Sequence, residues 1–188
     1  MLAAATELFL ANGYVATTLA AVAEAADVGA RTVYVRFGTK AELLKRVVDV
    51  AIVGDTLPVD VMGREWFAIA TSAPTLAERI EATAAGARGI MERAGGVLAV
   101  AQEAAVTEPM IAEQWVAGRE ATRQTFRMVL TKAAEDGTMD GAKLDWIVDT
   151  AAVIGAAETY LLAVRMLHFG LDTYEAWLRD MLTALTRT

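Results

Sequence analysis

The chain has no cysteine in its 188 residues, three prolines and one histidine, His168. Lack of cysteine excludes disulfides, thiolate metal sites and cysteine nucleophiles. The lone histidine excludes the paired Glu-x-x-His motifs of di-iron helical bundles, and the residue three before it is Arg165. There is no excess of positive charge either: the formal net charge is −7. That charge is unevenly placed. Residues 1–46 hold five cations (Arg31, Arg36, Lys40, Lys45, Arg46) against four anions (Glu7, Glu24, Asp27, Glu42), a balance of +1 that leaves −8 for the remainder. A polyanion is therefore expected to touch the N-terminal end only.

Long apolar runs are also missing. The most apolar region, Ala151–Leu167, follows Asp149 and is interrupted by Glu158 and Arg165. It falls short of the roughly 18 uninterrupted apolar residues a membrane span needs. The first Lys or Arg is Arg31, so no basic region precedes the early apolar residues. A soluble, cytoplasmic protein is expected. No segment of useful length alternates with period two, which predicts an all-α chain. Little proline and a 55% share of hydrophobic residues leave ample material for a core.

What is present reads as a series of helices with marked ends. A helix over Met1–Asn12 stops at Asn12-Gly13. Thr17-Thr18 restarts the chain, because a threonine hydroxyl can cap the first free N–H groups of a helix over Leu19–Ala25. Asp27-Val28-Gly29 makes a second break, and residues 30–37 a third helix. Val33 and Phe37 share its inner face with Val22 and Val28 as partners. Three short helices with tight turns make a helix-turn-helix. Thr39 and Glu42 then form the T-x-x-E capping box of a fourth helix that runs to about Val53 and ends at Gly54-Asp55.

Pro58, Gly63 and Pro74 punctuate a poorly patterned connecting segment over Asp55–Pro74. A second capping box, Thr75 with Glu78, opens a helix to Ala94, broken at Gly95-Gly96 and followed by a shorter one over Val97–Val106. Long helices are predicted over Met110–Glu135 and Lys143–Phe169, and a last one over Thr173–Thr186.

The run F-L-A-N-G-Y-V-A-T-T-L-A-A-V-A-E-A-A-D-V-G-A-R-T-V-Y-V-R-F-G-T-K-A-E-L-L contains a threonine pair, then V-x-x-x-T-x-Y-x-x-F, then T-K-x-E-L-L. Over residues 2–46 the chain resembles the DNA-binding domain of the tetracycline-repressor (TetR) family of bacterial transcription regulators. The resemblance implies a three-helix DNA-binding domain over residues 1–46 and a larger helical effector-binding and dimerisation domain over 47–188. It implies a regulator, expected to be a repressor, that binds a palindromic double-stranded operator as a homodimer and is released by a small, largely apolar molecule. Two features depart from the family pattern. Gly29 stands where a serine usually caps the recognition helix, and the basic extension that family members usually carry before the first helix is not among these residues, whether missing or truncated.

Within that frame the chemistry assigns roles. Arg31 suits a bidentate contact to guanine, and Ala30 a thymine methyl. Gly29 and Ala30 let the helix start approach the groove floor. Thr17, Thr32, Tyr34, Arg36 and Lys40 are candidates for phosphate, a role the resemblance assigns to the threonine, tyrosine and lysine positions; Thr18 joins them at the start of the second helix. In the larger domain Trp66, Phe67, Met91, Met110, Trp115, Phe126, Tyr160 and Met166 are candidates for an apolar effector pocket. Ala151, Ile154 and Gly155, with Tyr174, Trp177, Leu178 and Met181, are candidates for a two-fold helical interface. No Gly-rich phosphate loop, Asp-rich metal run or Ser/His/Asp set is present, so no enzyme activity, cofactor or metal is expected. The alternatives are a helical-bundle enzyme using Glu103, Glu108, Glu113 and Glu158, and a protein-binding module without DNA binding.

Overall fold

The computed structural model describes residues 1–54 and 61–187. All regular structure in them is helical: α1 Leu2–Ala16, α2 Leu19–Ala25, α3 Ala30–Phe37, α4 Lys40–Val53, α5 Glu65–Ser72, α6 Leu76–Ala104, α7 Pro109–Glu135, α8 Leu144–Ile154, α9 Ala157–Leu167 and α10 Leu171–Leu185, with one 3-10 turn at Val61–Gly63. The expected all-α fold, an N-terminal helix-turn-helix and a larger helical domain, is the one observed. Among the described residues no single helix is long and apolar enough to cross a membrane. Residues 55–60, including Asp55 and Pro58 of the expected connecting segment, lie outside the described residues; the rest of that segment holds the 3-10 turn and α5.

The chain divides into two compact units. The first is Met1–Thr56 with Arg93–Ala117; the second is Leu57–Glu92 with Gly118–Thr188. In the first unit α2 packs on α3, and α1 on α4. Phe9, Val22, Val33, Leu43 and Leu44 are fully buried there, each contributing about 1.5–3 kcal/mol of burial. Gly13 lies outside helical geometry at φ 73°, so α1 breaks at the expected stop and resumes for one short turn. Thr18 caps α2, accepting from the Ala21 N–H at 3.1 Å. The Thr39–Glu42 box is complete: the Glu42 N–H donates to Thr39 Oγ1 at 3.1 Å, and the Thr39 N–H to Glu42 Oε2 at 2.9 Å.

In the second unit the Thr75–Glu78 box is equally complete, at 3.1 and 3.2 Å. Phe67, Ala70 and Val129 form a core cluster covered by Trp66, Ala82 and Met128. Tyr174, Leu178 and Val148 are fully buried, and α10 packs on α8. Arg119, Arg123 and Arg127, four residues apart on α7, pair with Glu158, Asp149 and Asp145 at 2.5, 2.7 and 2.5 Å. This ladder explains why α7 carries so many charges on one side.

The breaks within the long helices differ from expectation. No break occurs at Gly95-Gly96, since α6 runs unbroken through both residues. Leu10 of α1 packs against Gly96 so closely that an added Cβ would lie 2.6 Å from Leu10 Cδ2. The glycine serves helix approach, and packing offsets its low helix propensity. Conversely, the single helix expected over Lys143–Phe169 is two, α8 and α9, bent by 49° at Gly155-Ala156.

Candidate nucleic-acid interface

The recognition helix is short, and its sequence separates its two sides. Val33 is buried and Phe37 half-buried, which anchors α3 on α2. Gly29, Ala30, Arg31, Thr32, Tyr34, Val35 and Arg36 are exposed. Tyr34, the candidate with an apolar alternative, is 53% exposed and therefore belongs to the outer face. Gly29 is the N-cap at φ −65°, ψ 138°, with no side chain to bond the first N–H groups; its carbonyl accepts from the Thr32 N–H at 2.8 Å. The free N–H groups of the first turn thus face outward beside Arg31. The Arg36 guanidinium lies over the Phe37 ring at 5.9 Å, leaving its N–H donors on the surface.

Thr17 is a correction. Its side chain is buried, and its hydroxyl donates inside the domain, with the Gly13 carbonyl at 2.8 Å and the Leu8 carbonyl at 3.1 Å. The hydroxyl proton locks the kinked end of α1 and is not presented to a phosphate. Thr18 is exposed, but its oxygen is the cap of α2. Lys40 is half-buried, and its ammonium donates to the carbonyls of Tyr14 at 2.8 Å and Val15 at 3.3 Å. Sequence reasoning missed two residues here. Val35, 78% exposed and one turn after Arg31, places a bare apolar side chain on the outer face; spacing alone could have found it. Tyr14 underlies Lys40, and no signal in the sequence linked them.

The N-terminal helices are similar to those of a known family. Residues 1–47 match the family model for bacterial regulatory proteins, tetR family. The match spans α1 to α3 and the start of α4. Solved structures agree in fold over nearly the whole chain. A TetR family transcriptional regulator, PfmR, from Thermus thermophilus is 19% identical, covers 99% of this chain and 96% of its own, and superposes with a TM-score of 0.63. Salmonella enterica GusR is 17% identical, covers 100% and 93%, and has a TM-score of 0.65. A TetR-like transcriptional regulator from Rhodococcus sp. RHA1 is 15% identical, covers 97% and 91%, and has a TM-score of 0.60. No curated protein matches the chain. These likenesses show a shared fold.

The candidate pocket residues are divided between the two units. Trp66 and Phe67 meet edge to face at 5.7 Å, and Trp66 lies on Gly86, where an added Cβ would be 2.2 Å from its ring. Phe126 packs on Gly155, and Tyr160 packs edge-on to Tyr174 at 4.8 Å. Met91 is buried. Met110 and Trp115 belong to the first unit with the helix-turn-helix, the others to the second. Met166 is 68% exposed on α9 and lines no interior space.

The candidate interface residues need correction too. Ala151, Gly155, Tyr174 and Leu178 are buried within the chain itself. The small residues of α8 and the stripe of α10 serve the intrachain core, because α10 packs its apolar side on α8. Ile154 and Trp177 are half-buried and Met181 is exposed. The apolar side chains left outside on α8 and α9 are Trp146, Val153, Leu162, Met166 and Leu167. Among the described residues no group of three or more His, Asp or Glu is placed to hold a metal, and Glu158 is paired with Arg119.

Proposed function

We propose that the chain is a transcriptional repressor that binds a near-palindromic DNA operator as a homodimer and is released by a small, largely apolar molecule. The observation that carries this reading is the two-sided recognition helix. Val33 and Phe37 hold it down, while Arg31, Thr32, Tyr34 and Arg36 are exposed. A helix of this kind enters the major groove with its first residues on base edges. Arg31 reads guanine through O6 and N7, and Ala30 meets a thymine methyl. Thr32, Tyr34, Arg36 and Lys40 take phosphates, supplying affinity without sequence information.

Two-fold symmetry makes the operator near-palindromic, with half-sites about one helical turn, roughly 34–36 Å, or a multiple apart. The exposed apolar residues of α8 and α9 supply the dimer surface, since side chains of that size are normally covered. The second unit, rich in Trp66, Phe67, Met91, Phe126 and Tyr160, takes the effector. Release follows if the effector binds the DNA-incompetent arrangement more tightly, a shift of populations between two states.

Selection of bound sites from a random duplex library tests the reading. An enriched palindrome supports it, and its spacing reports the distance between the two recognition helices. Recovery of no sequence at all sinks it.

A further inference from the structure

Val33 and Phe37 hold α3 against α2, and helical geometry then fixes what lies opposite them. At about 3.6 residues per turn, successive side chains step round the axis by about 100°. Val35 therefore points about 160° away from Val33 and about 160° away from Phe37, in opposite senses. It stands at the centre of the outer face. Arg31 lies about 40° to one side of it and Thr32 about 60° to the other, both in the turn before. Exposure follows the same order: Val35 is 78% exposed, against 53% for Tyr34, about 100° round the helix. The Arg36 guanidinium is drawn away from this centre, over the Phe37 ring.

Folding gains little from a valine at this position. The side chain is mostly solvated, and a β-branched residue is less favourable in a helix than alanine, lysine or glutamine. What it suits is an apolar group brought to it by a partner. The charges of α3 indicate the kind of partner. The helix carries Arg31 and Arg36 and no carboxylate, which fits a polyanion. In the major groove of a duplex the base edges present donors, acceptors and one apolar group, the C5-methyl of thymine. An arginine beside a valine on one helix face thus matches a guanine near a thymine. The four residues from Arg31 to Val35 rise about 6 Å. Base pairs stack about 3.4 Å apart, so the two bases lie within about two steps of each other.

We propose that Val35 is a specificity-determining residue: it packs on the C5-methyl group of a thymine within about two base pairs of the guanine read by Arg31. The inference rests on the reading of α3 as a major-groove helix. It gives the central position of the outer face a role, and it makes part of the sequence preference apolar. Thymine is preferred at that step over any base that lacks the methyl group.

The test uses the full chain and the duplex recovered by site selection. Each thymine of a half-site is replaced in turn by deoxyuridine, which pairs identically and lacks only the C5-methyl. Wild type should bind about three- to fivefold more weakly when the methyl beside Val35 is removed, the effect expected for one methyl group taken out of apolar contact. Val35→Ala should weaken binding to the thymine duplex by a similar factor, and should no longer distinguish thymine from deoxyuridine at that position. Its thermal unfolding should match or exceed wild type, because the residue is exposed and alanine is the better helix former. A loss of affinity is then a lost contact and not a lost fold. Indifference of wild type to every thymine methyl, or full discrimination retained at all of them by Val35→Ala, overturns the assignment of Val35 while DNA binding stands. Selection of no duplex at all overturns the DNA reading, and this inference with it.

Discussion

The ring of Phe126, on α7, occupies the place where a side chain at residue 155 would be: a Cβ built on Gly155 would lie 2.5 Å from Phe126 Cε2. That contact falls at the bend between α8 and α9. The bend is thus a packed feature, with the residue chosen for what lies against it.

Gly155→Ala should accordingly destabilise the second unit. Overpacking a buried site costs about 1–3 kcal/mol. Chemical denaturation should show a lower midpoint with an unchanged slope. A midpoint equal to or above wild type would mean that Phe126 moves aside at no cost.

Thr17→Val separates a structural threonine from a DNA-contacting one. Removing a buried hydroxyl that bonds the Gly13 and Leu8 carbonyls should cost about 1–3 kcal/mol of stability. Duplex affinity of the folded protein should stay within about twofold, a difference of roughly 0.4 kcal/mol. A large loss of affinity with stability intact would restore Thr17 to the interface.

The ion pair between Arg79 and Asp136 gives a pH signature. Arg79 is buried and also donates from Nε to the Ala73 carbonyl at 2.8 Å. The Asp136 carboxylate is held below its ordinary value of 3.8, first by the Thr138 hydroxyl and also by Arg79. A carboxylate with a lowered folded-state pKa adds stability above its unfolded value and loses it as pH falls through the folded one. Asp136→Asn should therefore be less stable than wild type at pH 7, and the gap should narrow below about pH 3.8. Thermal unfolding across pH 2.5–7 checks this (a window of roughly this width spans the transition); a gap independent of pH would assign the effect to shape and not to charge.

Arg31→Ala should relax the preferred base at one position in each half-site, at about 1–3 kcal/mol per contact. Phosphate contacts such as Arg36 should instead affect all sequences alike. Comparison of selected sites between wild type and the variant checks this. An unchanged consensus would move base reading elsewhere on α3, with exposed Val35 the next residue to replace.

The helix-turn-helix was legible because its signals are local. Thr18, the Thr39–Glu42 box and the Gly13 stop each act within four residues, and the spacing of Val33 and Phe37 set the inner face of α3. Those features determined the third helix, its boundaries and its exposed side. Local signals failed where the decisive partner was distant. Gly95-Gly96 reads as a break, but Leu10, more than eighty residues earlier, uses the missing side chain as a seat and α6 continues. Ala151–Ala157 reads as one helix, but Phe126 closes on Gly155 and the chain bends. The same holds for function. Sequence by itself determined which face of α3 is exposed. Only the tertiary structure decided that Thr17 is buried, that Tyr174 and Leu178 are core, and that Lys40 reaches back to Tyr14, because burial and ammonium partners depend on chain segments that sequence spacing does not relate.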